Sequence, residues 1–429
     1  MGRGVIYFEP TPRCDWTNGL DFMKPKNSKP LLIAFFTIFL DLLGFGIMIP
    51  IQPFYVENFG ATATQVTLLG ASYSLMQFLF APFWGRISDR IGRRPIILFS
   101  VAISAVGHLV FGLAHGLTTL FAARMLAGFG NANLGTAQAI ISDVTKPEDR
   151  AKGMGLIGAA FGLGFIIGPA IGGILGQYSP VLPAFFAAGL ALCNLAFAAF
   201  MLPETLKKGA PTAPGRRLLS LAALKHAARH TNVGVLFAMT FVYTLGFAIM
   251  EQVIGLFIEK IWVTPTLGGS LRIQMASQMT AVYLVAVGFT AVFIQGFMIG
   301  RLTRKFGEQT LAKAGLVLLT LAMFSIPLAG NTGIFPVMVA TAVILAAGSG
   351  IFNPSNSSMV SRAADPSEQG STLGLNQSIA SLGRVLGPAS AGAIFELNPS
   401  WPFYAAGCLT AVAAIISTRL KPLLRAAKG

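Results

Sequence analysis

Long apolar runs constrain the fold of this chain more than any other feature of its sequence. Each run holds about 17–25 residues, the length that an α-helix needs to cross the hydrocarbon core of a bilayer. Only 11% of the 429 residues are charged, whereas about 25% are charged in soluble proteins. The sequence therefore predicts an all-α membrane protein with about twelve spans, at residues 31–52, 67–84, 95–114, 117–141, 153–175, 182–202, 232–258, 277–299, 311–329, 335–359, 370–394 and 401–418.

The positions of the basic residues predict the orientation of the chain. It carries 31 Lys and Arg residues and a net charge of +15. If the N-terminus is cytoplasmic, these residues fall in cytoplasmic loops and tails, and the exceptions are Arg124, Lys260, Arg272 and Arg384. Because Lys and Arg are enriched in cytoplasmic loops, both termini are expected in the cytoplasm. The sequence shows no basic face with aromatic or polar readers, so no nucleic-acid partner is expected.

The two halves of the chain repeat each other. GRISDRIGRR from Gly85 is similar to GRLTRKFGEQ from Gly300, and IIGPAIGG from Ile166 is similar to VLGPASAG from Val385. Two six-helix halves related in this way are typical of transporters with substrate and ion sites between the halves. The expected organisation is a cytoplasmic tail (1–30), a six-helix bundle (31–202), a cytoplasmic linker (203–231), a second six-helix bundle (232–420) and a cytoplasmic tail (421–429).

Asp41 is the main candidate for a functional residue. It lies near the middle of the otherwise uncharged stretch from Leu31 to Ile51, where an ionised carboxylate is costly. A carboxyl at that depth normally faces a protein interior or an aqueous pathway, where it can hold or release a proton. The alternative is a structural aspartate that caps a helix or pairs internally.

Two glycine-containing motifs and a buried arginine accompany Asp41. The loop after the second span contains Gly85, Asp89, Arg90, Gly92 and Arg93. Its glycines permit a tight turn. The fifth span contains Gly164, Gly168, Pro169, Gly172 and Gly173. Their spacing predicts a smooth helix face for close packing. Arg124, in the fourth span, cannot lose its proton and therefore needs an anionic or carbonyl partner.

These motifs, with the opening LDLLGFGIMIPIQP around Asp41, resemble those of the major facilitator superfamily. They resemble in particular its twelve-span drug:proton antiporters, a group that includes tetracycline efflux proteins. The resemblance extends from about Leu31 to Leu420. It implies the major-facilitator fold, in which twelve transmembrane helices form two six-helix bundles.

The resemblance also implies roles for these residues. Asp89 would latch the cytoplasmic side shut against the N-terminal end of the eleventh span, where the helix dipole favours an anion. Arg124 would modulate the proton affinity of the coupling carboxyl. The Gly-Pro pair in the fifth span resembles a motif that marks antiporters rather than symporters. Ordinary positive-inside charge, a structural arginine and plain helix packing are the respective alternatives.

Other polar residues within the spans are candidates for proton coupling or substrate binding. Glu251 is a second proton site, a counter-charge for a cationic substrate, or a solvated residue at the rim. His108 is a proton site or a packing residue, and Arg384 binds an anionic group or pairs with Glu251. The remaining candidates for the substrate cavity are amides and a tyrosine: Asn131, Asn133, Gln138, Tyr243, Asn353, Asn356, Asn376 and Gln377.

The predicted function is proton-driven export of a small amphipathic compound across the inner membrane by a monomer. The sequence contains no Walker-type phosphate loop, and neither a cofactor nor a metal site is expected. Tetracycline exporters carry acids in spans three and nine, which are missing here, so tetracycline itself is disfavoured. The alternatives are a dedicated exporter of a metabolite such as a siderophore, sugar or amino-acid derivative, and a proton symporter. The loops show no nucleophile or metal cluster of a membrane enzyme.

Overall fold

The computed structural model describes residues 28–145, 150–206, 231–263, 269–363 and 369–421. The predicted tails and the linker at 203–231 lie largely outside these ranges. Within them, every regular element is a helix, and eight helices are long and apolar enough to cross a membrane. The predicted all-α membrane fold is confirmed.

The helices of the first half follow the predicted apolar runs, and short breaks divide two of those runs. The fourth run, 117–141, is interrupted by a 3₁₀ turn at Asn131–Asn133. The helices are α1 (Ser28–Met48), α2 (Gln52–Glu57), α3 (Ala63–Ile91), α4 (Arg93–Gly112), α5 (Leu117–Gly130), α6 (Leu134–Val144), α7 (Arg150–Gly176) and α8 (Leu182–Met201).

The second half follows the same plan in its described residues. One turn of π-helix, Ile294–Met298, divides the eighth run. The helices are α9 (Thr231–Trp262), α10 (Gly269–Phe293), α11 (Ile299–Phe306), α12 (Glu308–Asn331), α13 (Phe335–Ala363), α14 (Gln369–Leu397) and α15 (Trp401–Ser417).

Two glycines at equivalent places in the repeat separate consecutive helices. Gly92 (φ +116°) lies between α3 and α4, and Gly307 (φ +78°) lies between α11 and α12. These backbone angles favour glycine because a side chain would be strained there. Gly85, which the sequence placed in the same loop, is instead helical and belongs to α3. The prediction of a turn was therefore correct for Gly92 and wrong for Gly85.

The two halves contact each other at the end of the molecule opposite the basic loops. We call the end that carries Arg93 and Arg304 the basic end, and the other end the opposite end. At the opposite end, the backbone N–H of Gly392 donates to Thr67 Oγ1 (3.1 Å), which joins α14 to α3. A methyl group at Gly176 in α7 would lie 3.3 Å from Ser277 Oγ in α10, so a second pair of helices also meets there.

Several side chains at the basic end are exposed. In α11, all of whose residues the structure describes, no side chain is buried. Phe306, at the end of α11, is 48% exposed, and Ile91, at the end of α3, is 61% exposed. The ends of α3 and α11 are therefore exposed at the basic end, whereas helices of the two halves meet at the opposite end.

Candidate functional site

Asp41 is held by amide groups from the turn that interrupts the fourth run. The Asn131 amide, oriented so that its nitrogen and oxygen both have partners, donates to Asp41 Oδ1 (2.9 Å) and Oδ2 (3.0 Å). The Asn133 side chain is a further hydrogen-bond partner of the same carboxyl. Amide donors stabilise a carboxylate that has been removed from water. Asp41 is nevertheless only half-buried.

Two residues that the sequence analysis missed complete this network. Tyr73 OH donates to the Asn131 amide oxygen (3.1 Å). Gln77 Nε2 donates to Tyr73 OH (3.2 Å) and to the backbone oxygen of Asn131 (3.1 Å). The signal in the sequence was available, because Tyr73 and Gln77 are polar residues four apart within an apolar run and therefore share one helix face.

Gly128 explains how Tyr73 reaches this position. A methyl group at Gly128 would lie 2.4 Å from the backbone oxygen of Tyr73, so any side chain there would push α5 away from α3. The glycine lets the two helices approach closely enough for Tyr73 to meet Asn131. This is the close approach that glycine permits in membrane helices.

Arg124 stacks on Tyr73 and does not pair directly with Asp41. It is 5% exposed, and its guanidinium carbon lies 4.7 Å from the centre of the Tyr73 ring and 6.0 Å from that of Phe45. Among the residues that the structure describes, no carboxylate lies within 4 Å of it, and its Nε has no acceptor. Arg124 is therefore connected to Asp41 indirectly, through the hydrogen bonds of Tyr73 and Asn131.

His108 is a neighbour of the same group on α4. It is 3% exposed, and its Nε2 would lie 3.8 Å from a methyl group at Gly44, one turn of α1 beyond Asp41. It also lies within electrostatic reach of Arg124. The structure thus brings His108, Arg124 and Asp41 to one region, with His108 packed between helices.

The second half carries a polar group of its own. Asn353 Nδ2 donates to Tyr243 OH (2.9 Å). Thr240 Oγ1 accepts a hydrogen bond from Asn356 Nδ2 (2.7 Å) and donates one to Asn376 Oδ1 (2.7 Å). Of the predicted cavity residues, Tyr243 and Asn353 thus form one pair, and Asn356 and Asn376 are linked through Thr240. Gln138 is half-buried on α6 and takes part in no hydrogen bond among the described residues.

A repeat that the sequence analysis overlooked relates the two polar groups. Residues 43–48 read LGFGIM and residues 245–250 read LGFAIM, so Tyr243 occupies the position that corresponds to Asp41. The packing agrees with this alignment, since Gly168 contacts Gly46 in the first half and Gly387 contacts Ala248 in the second. The two halves therefore place hydrogen-bonded polar side chains at equivalent points, and only the first half has an acid there.

Glu251 and Arg384 lie near the Tyr243 group. Glu251 is half-buried within α9, eleven residues before its end at Trp262. Arg384 is exposed, and its polar contact is a 3.4 Å bond to Ser381. The two residues form no ion pair within 4 Å, but Arg384 is within electrostatic reach of Glu251, Tyr243 and Tyr73. Because Tyr73 belongs to the other half and Arg384 is exposed, Arg384 lies in a cleft between the halves.

The glycines of the fifth span contact two different helices. Methyl groups at Gly168 and Gly172 would lie 2.7 Å and 2.2 Å from backbone atoms of Gly46 and Ile47 in α1. Gly164 faces α1 as well, beside Leu42, and Pro169 is buried. A methyl group at Gly173 would instead lie 2.5 Å from Ala281 Cβ in α10. The motif therefore packs α7 against the helix of Asp41 and also against the other half.

The loop motif forms an ion-pair network within the first half. Asp89, half-exposed, pairs with Arg93, which also donates to Ser88 Oγ (2.7 Å) and lies 3.4 Å from Asp143. The resemblance implied that Asp89 meets the start of the eleventh span. In this structure Asp89 is paired with Arg93 of its own half. Arg90 is exposed.

A carboxylate outside the motif supports this loop. Glu204 accepts hydrogen bonds from the backbone N–H groups of Arg93 (2.9 Å) and Arg94 (3.2 Å), the first residues of α4. It caps groups that have no partner within the helix. Its side chain also lies against Gly92, where a methyl group would be 2.3 Å from Glu204 Oε2.

Known proteins are similar to this chain in sequence and in fold. The chain is 31% identical to the class C tetracycline resistance protein of Escherichia coli over 379 residues, which cover 87% of this chain and 92% of that protein. It is 30% identical to multidrug resistance protein 2 of Bacillus subtilis, covering 88% and 91%. The solved structure of the human organic anion transporter MFSD10 (TETRAN) superposes with a TM-score of 0.69 at 25% identity, covering 92% of this chain and 100% of that one.

A family model points to the same group. The model described as Major Facilitator Superfamily matches residues 34–335 and 261–428, which together include both repeated halves, the Asp41 network and the Arg384 region. The similarity to tetracycline and multidrug resistance proteins agrees with the resemblance drawn from the motifs. With its two repeated helical halves, the chain is a transmembrane transporter that belongs to the Major Facilitator Superfamily.

Proposed function

We propose that this transporter is a proton-driven antiporter that exports a small amphipathic compound across the inner membrane, with both termini in the cytoplasm. The observation that carries the proposal is Asp41, a carboxyl held by Asn131 and Asn133 at membrane depth. The similarity to tetracycline and multidrug resistance proteins supports export as the direction. The clustering of basic residues at the basic end supports the orientation.

In the proposed cycle, the cleft described above is open to the cytoplasm. The amides of Asn131 and Asn133 stabilise the Asp41 carboxylate after its proton has left, and the substrate enters the cleft. The halves then close at the basic end and open at the opposite end, where the substrate leaves and Asp41 takes up a proton. This exchange about a fixed central site is the alternating-access scheme of paired-repeat transporters.

Arg124 has a positioning role in this proposal. Its charge lies on the face of Tyr73, which donates to the Asn131 amide oxygen. When Asp41 is neutral, the Asn131 amide loses a charged acceptor. Asn131 and Tyr73 then shift toward Arg124. Protonation at Asp41 is thus transmitted to α3 and α5 without a direct ion pair.

The driving force is sufficient for concentrative export. One proton moving across a potential of about 100 mV releases roughly 2.3 kcal/mol, which supports a concentration ratio of about fifty. A pH gradient of the same sign adds to this.

Transport by protein reconstituted in liposomes tests the proposal. With a fluorescent amphiphile as substrate and an imposed pH gradient, Asp41→Asn should lose uphill transport and keep exchange without a gradient, because an amide cannot cycle a proton. Glu251→Gln is the matched control, and it should retain uphill transport. If Asp41→Asn still concentrates the substrate, the coupling role belongs elsewhere and Glu251 or His108 becomes the candidate.

Arg384 favours a second candidate function, a dedicated exporter of an anionic metabolite. Its guanidinium is exposed in the cleft, and one long bond to Ser381 leaves most of its donors free to bind a carboxylate or phosphate. Thermal stabilisation of the purified protein by anionic and cationic amphiphiles of equal size distinguishes the two functions. Stabilisation by anions that is lost in Arg384→Gln, but kept in Arg419→Gln at the end of α15, would favour the metabolite exporter.

A further inference from the structure

A group of three charged side chains joins the two halves at the opposite end. Glu57, the last residue of α2, belongs to the first half, whereas Glu259 on α9 and Arg272 on α10 belong to the second. Arg272 Nε lies 2.6 Å from Glu259 Oε1, and Arg272 Nη2 lies 3.7 Å from Glu57 Oε2. The Glu57 and Glu259 carboxyls are themselves within hydrogen-bonding reach of each other.

The charges of this group do not balance. One guanidinium faces two carboxyls, so the group has a net charge of −1 when both acids are ionised. Glu259 is 4% exposed and holds the short contact to Arg272. The longer contact leaves Glu57 as the acid that is less well compensated. Adding one proton between the two carboxyls would make the group neutral and replace a repulsion by a hydrogen bond.

Among the residues that the structure describes, Glu259 and Arg272 are the charged groups that act on Glu57. Lys260, the next residue on α9, points its ammonium over the Phe395 ring at 5.9 Å. The first turns of α3 that pack on α2, and residues 264–268 between α9 and α10, contain no titratable side chain. On α2 itself, Tyr55 donates its hydroxyl to the backbone oxygen of Ala114 (3.5 Å).

We propose that Glu57 and Glu259, bridged by Arg272, form a proton-binding site that holds one proton when the opposite end is closed and releases it when that end opens. Opening moves Glu57 away with the first half, while Glu259 and Arg272 remain together on the second. Glu57 then becomes a solvated acid and Glu259 keeps its ion pair. The proton is taken from, and returned to, the compartment at the opposite end, so this site biases the transport cycle without adding to the number of protons carried by Asp41.

The direction of the pH effect follows from the two states. Burial and the neighbouring Glu259 raise the pKa of Glu57 from 4.5 to about 8 when the end is closed. In the open state the pKa returns toward its ordinary value. The closed state therefore binds more protons between about pH 4.5 and about pH 8, and the closed-to-open ratio falls about tenfold for each pH unit in that window. Acid on this side favours closure, and alkali favours opening.

Glu396 provides a matched control at the same end with the opposite chemistry. This acid, in the last turn of α14, accepts a hydrogen bond from the backbone N–H of Thr64 in α3 (2.8 Å) and so also joins the halves. That hydrogen bond lowers its pKa. Neutralising Glu396 removes an acceptor that needs its charge, whereas neutralising Glu57 imitates the protonated acid.

Distance measurements between spin labels test the proposal in the full-length protein in lipid nanodiscs. Cys14, Cys193 and Cys408 are replaced by serine, and labels are placed at Tyr178 and Asn331, exposed residues of the two halves at the opposite end. In this background the long distance should gain population as pH rises from 5 to 9. Glu57→Gln should hold the short distance throughout this range, and Glu396→Gln should keep the pH transition with more of the long distance.

Three outcomes would overturn the site. One is a distance that does not depend on pH, and another is an unchanged transition in Glu57→Gln. The third is a transition that disappears in Asp41→Asn, which would assign the titration to Asp41.

The inference rests on the alternating-access part of the proposed function, and a second label pair separates the two. Labels at Ile91 and Phe306 report on the basic end. If that pair responds to pH or ligand while the pair at the opposite end ignores Glu57, the proton site alone is wrong. If neither pair changes under any condition, alternating access and the proton site fail together.

Discussion

Gly168→Ala tests whether the fifth-span glycines position the helix that carries Asp41. The added methyl would lie 2.7 Å from the Cα and carbonyl carbon of Gly46. Ordinary contacts between carbon atoms are about 3.5–4.0 Å, so α1 and α7 must separate by about 1 Å. Neither neighbouring atom can rotate away, because both belong to the backbone. Overpacking of this kind costs about 1–3 kcal/mol.

The assay for Gly168→Ala combines thermal unfolding with transport. We expect a midpoint lowered by roughly 2–4 °C for each kcal/mol in a domain of this size. We also expect weaker uphill transport, since Asp41 lies less than two turns before Gly46 and moves with it relative to Asn131. Gly189→Ala on α8 is the matched control, because its methyl would meet no atom within 4 Å. Equal midpoints and equal transport in the two variants would refute the reasoning.

Three further predictions concern the basic end. A cysteine at Ser220 in a cysteine-free background should resist an impermeant thiol reagent in intact cells, because the linker is predicted to be cytoplasmic; ready labelling would reverse the topology. Glu204→Ala should lower stability by about 0.5–2 kcal/mol through loss of the α4 cap, and an unchanged unfolding midpoint would contradict this. Asp89→Asn should keep ligand binding in a thermal-shift assay but lose transport in liposomes, and normal transport would show that the motif carries no mechanism here.

The helices could be predicted from the sequence because the constraint that creates them is local. A backbone in hydrocarbon must satisfy its own hydrogen bonds, so an apolar run of sufficient length specifies a helix without knowledge of its neighbours. The ends of the helices were less predictable. α3 continues through the polar residues up to Ile91, because a helix does not stop where the membrane does.

The partners of the candidate residues could not be predicted in the same way. The sequence identified Asp41 and Asn131 separately, but their contact depends on how α1 packs against the turn between α5 and α6. Arg124 was expected near the carboxyl, and the structure places it on the Tyr73 ring instead. The glycine spacing predicted a packing face on α7, yet the second contact, from Gly173 to α10, requires the arrangement of the two halves.

Corresponding positions in the two repeated halves of this protein carry side chains of different chemistry. Asp41 and Tyr243 occupy corresponding points, and each accepts a hydrogen bond from an asparagine side chain of its own half. Asp41 is a carboxylic acid and Tyr243 a much weaker acid, whereas the exposed cation Arg384 lies in the second half. On the proposed mechanism, the first half therefore titrates and the second half offers the charge that an anionic ligand would meet. Because both groups face one cleft, a proton and a ligand could influence each other there without sharing a residue.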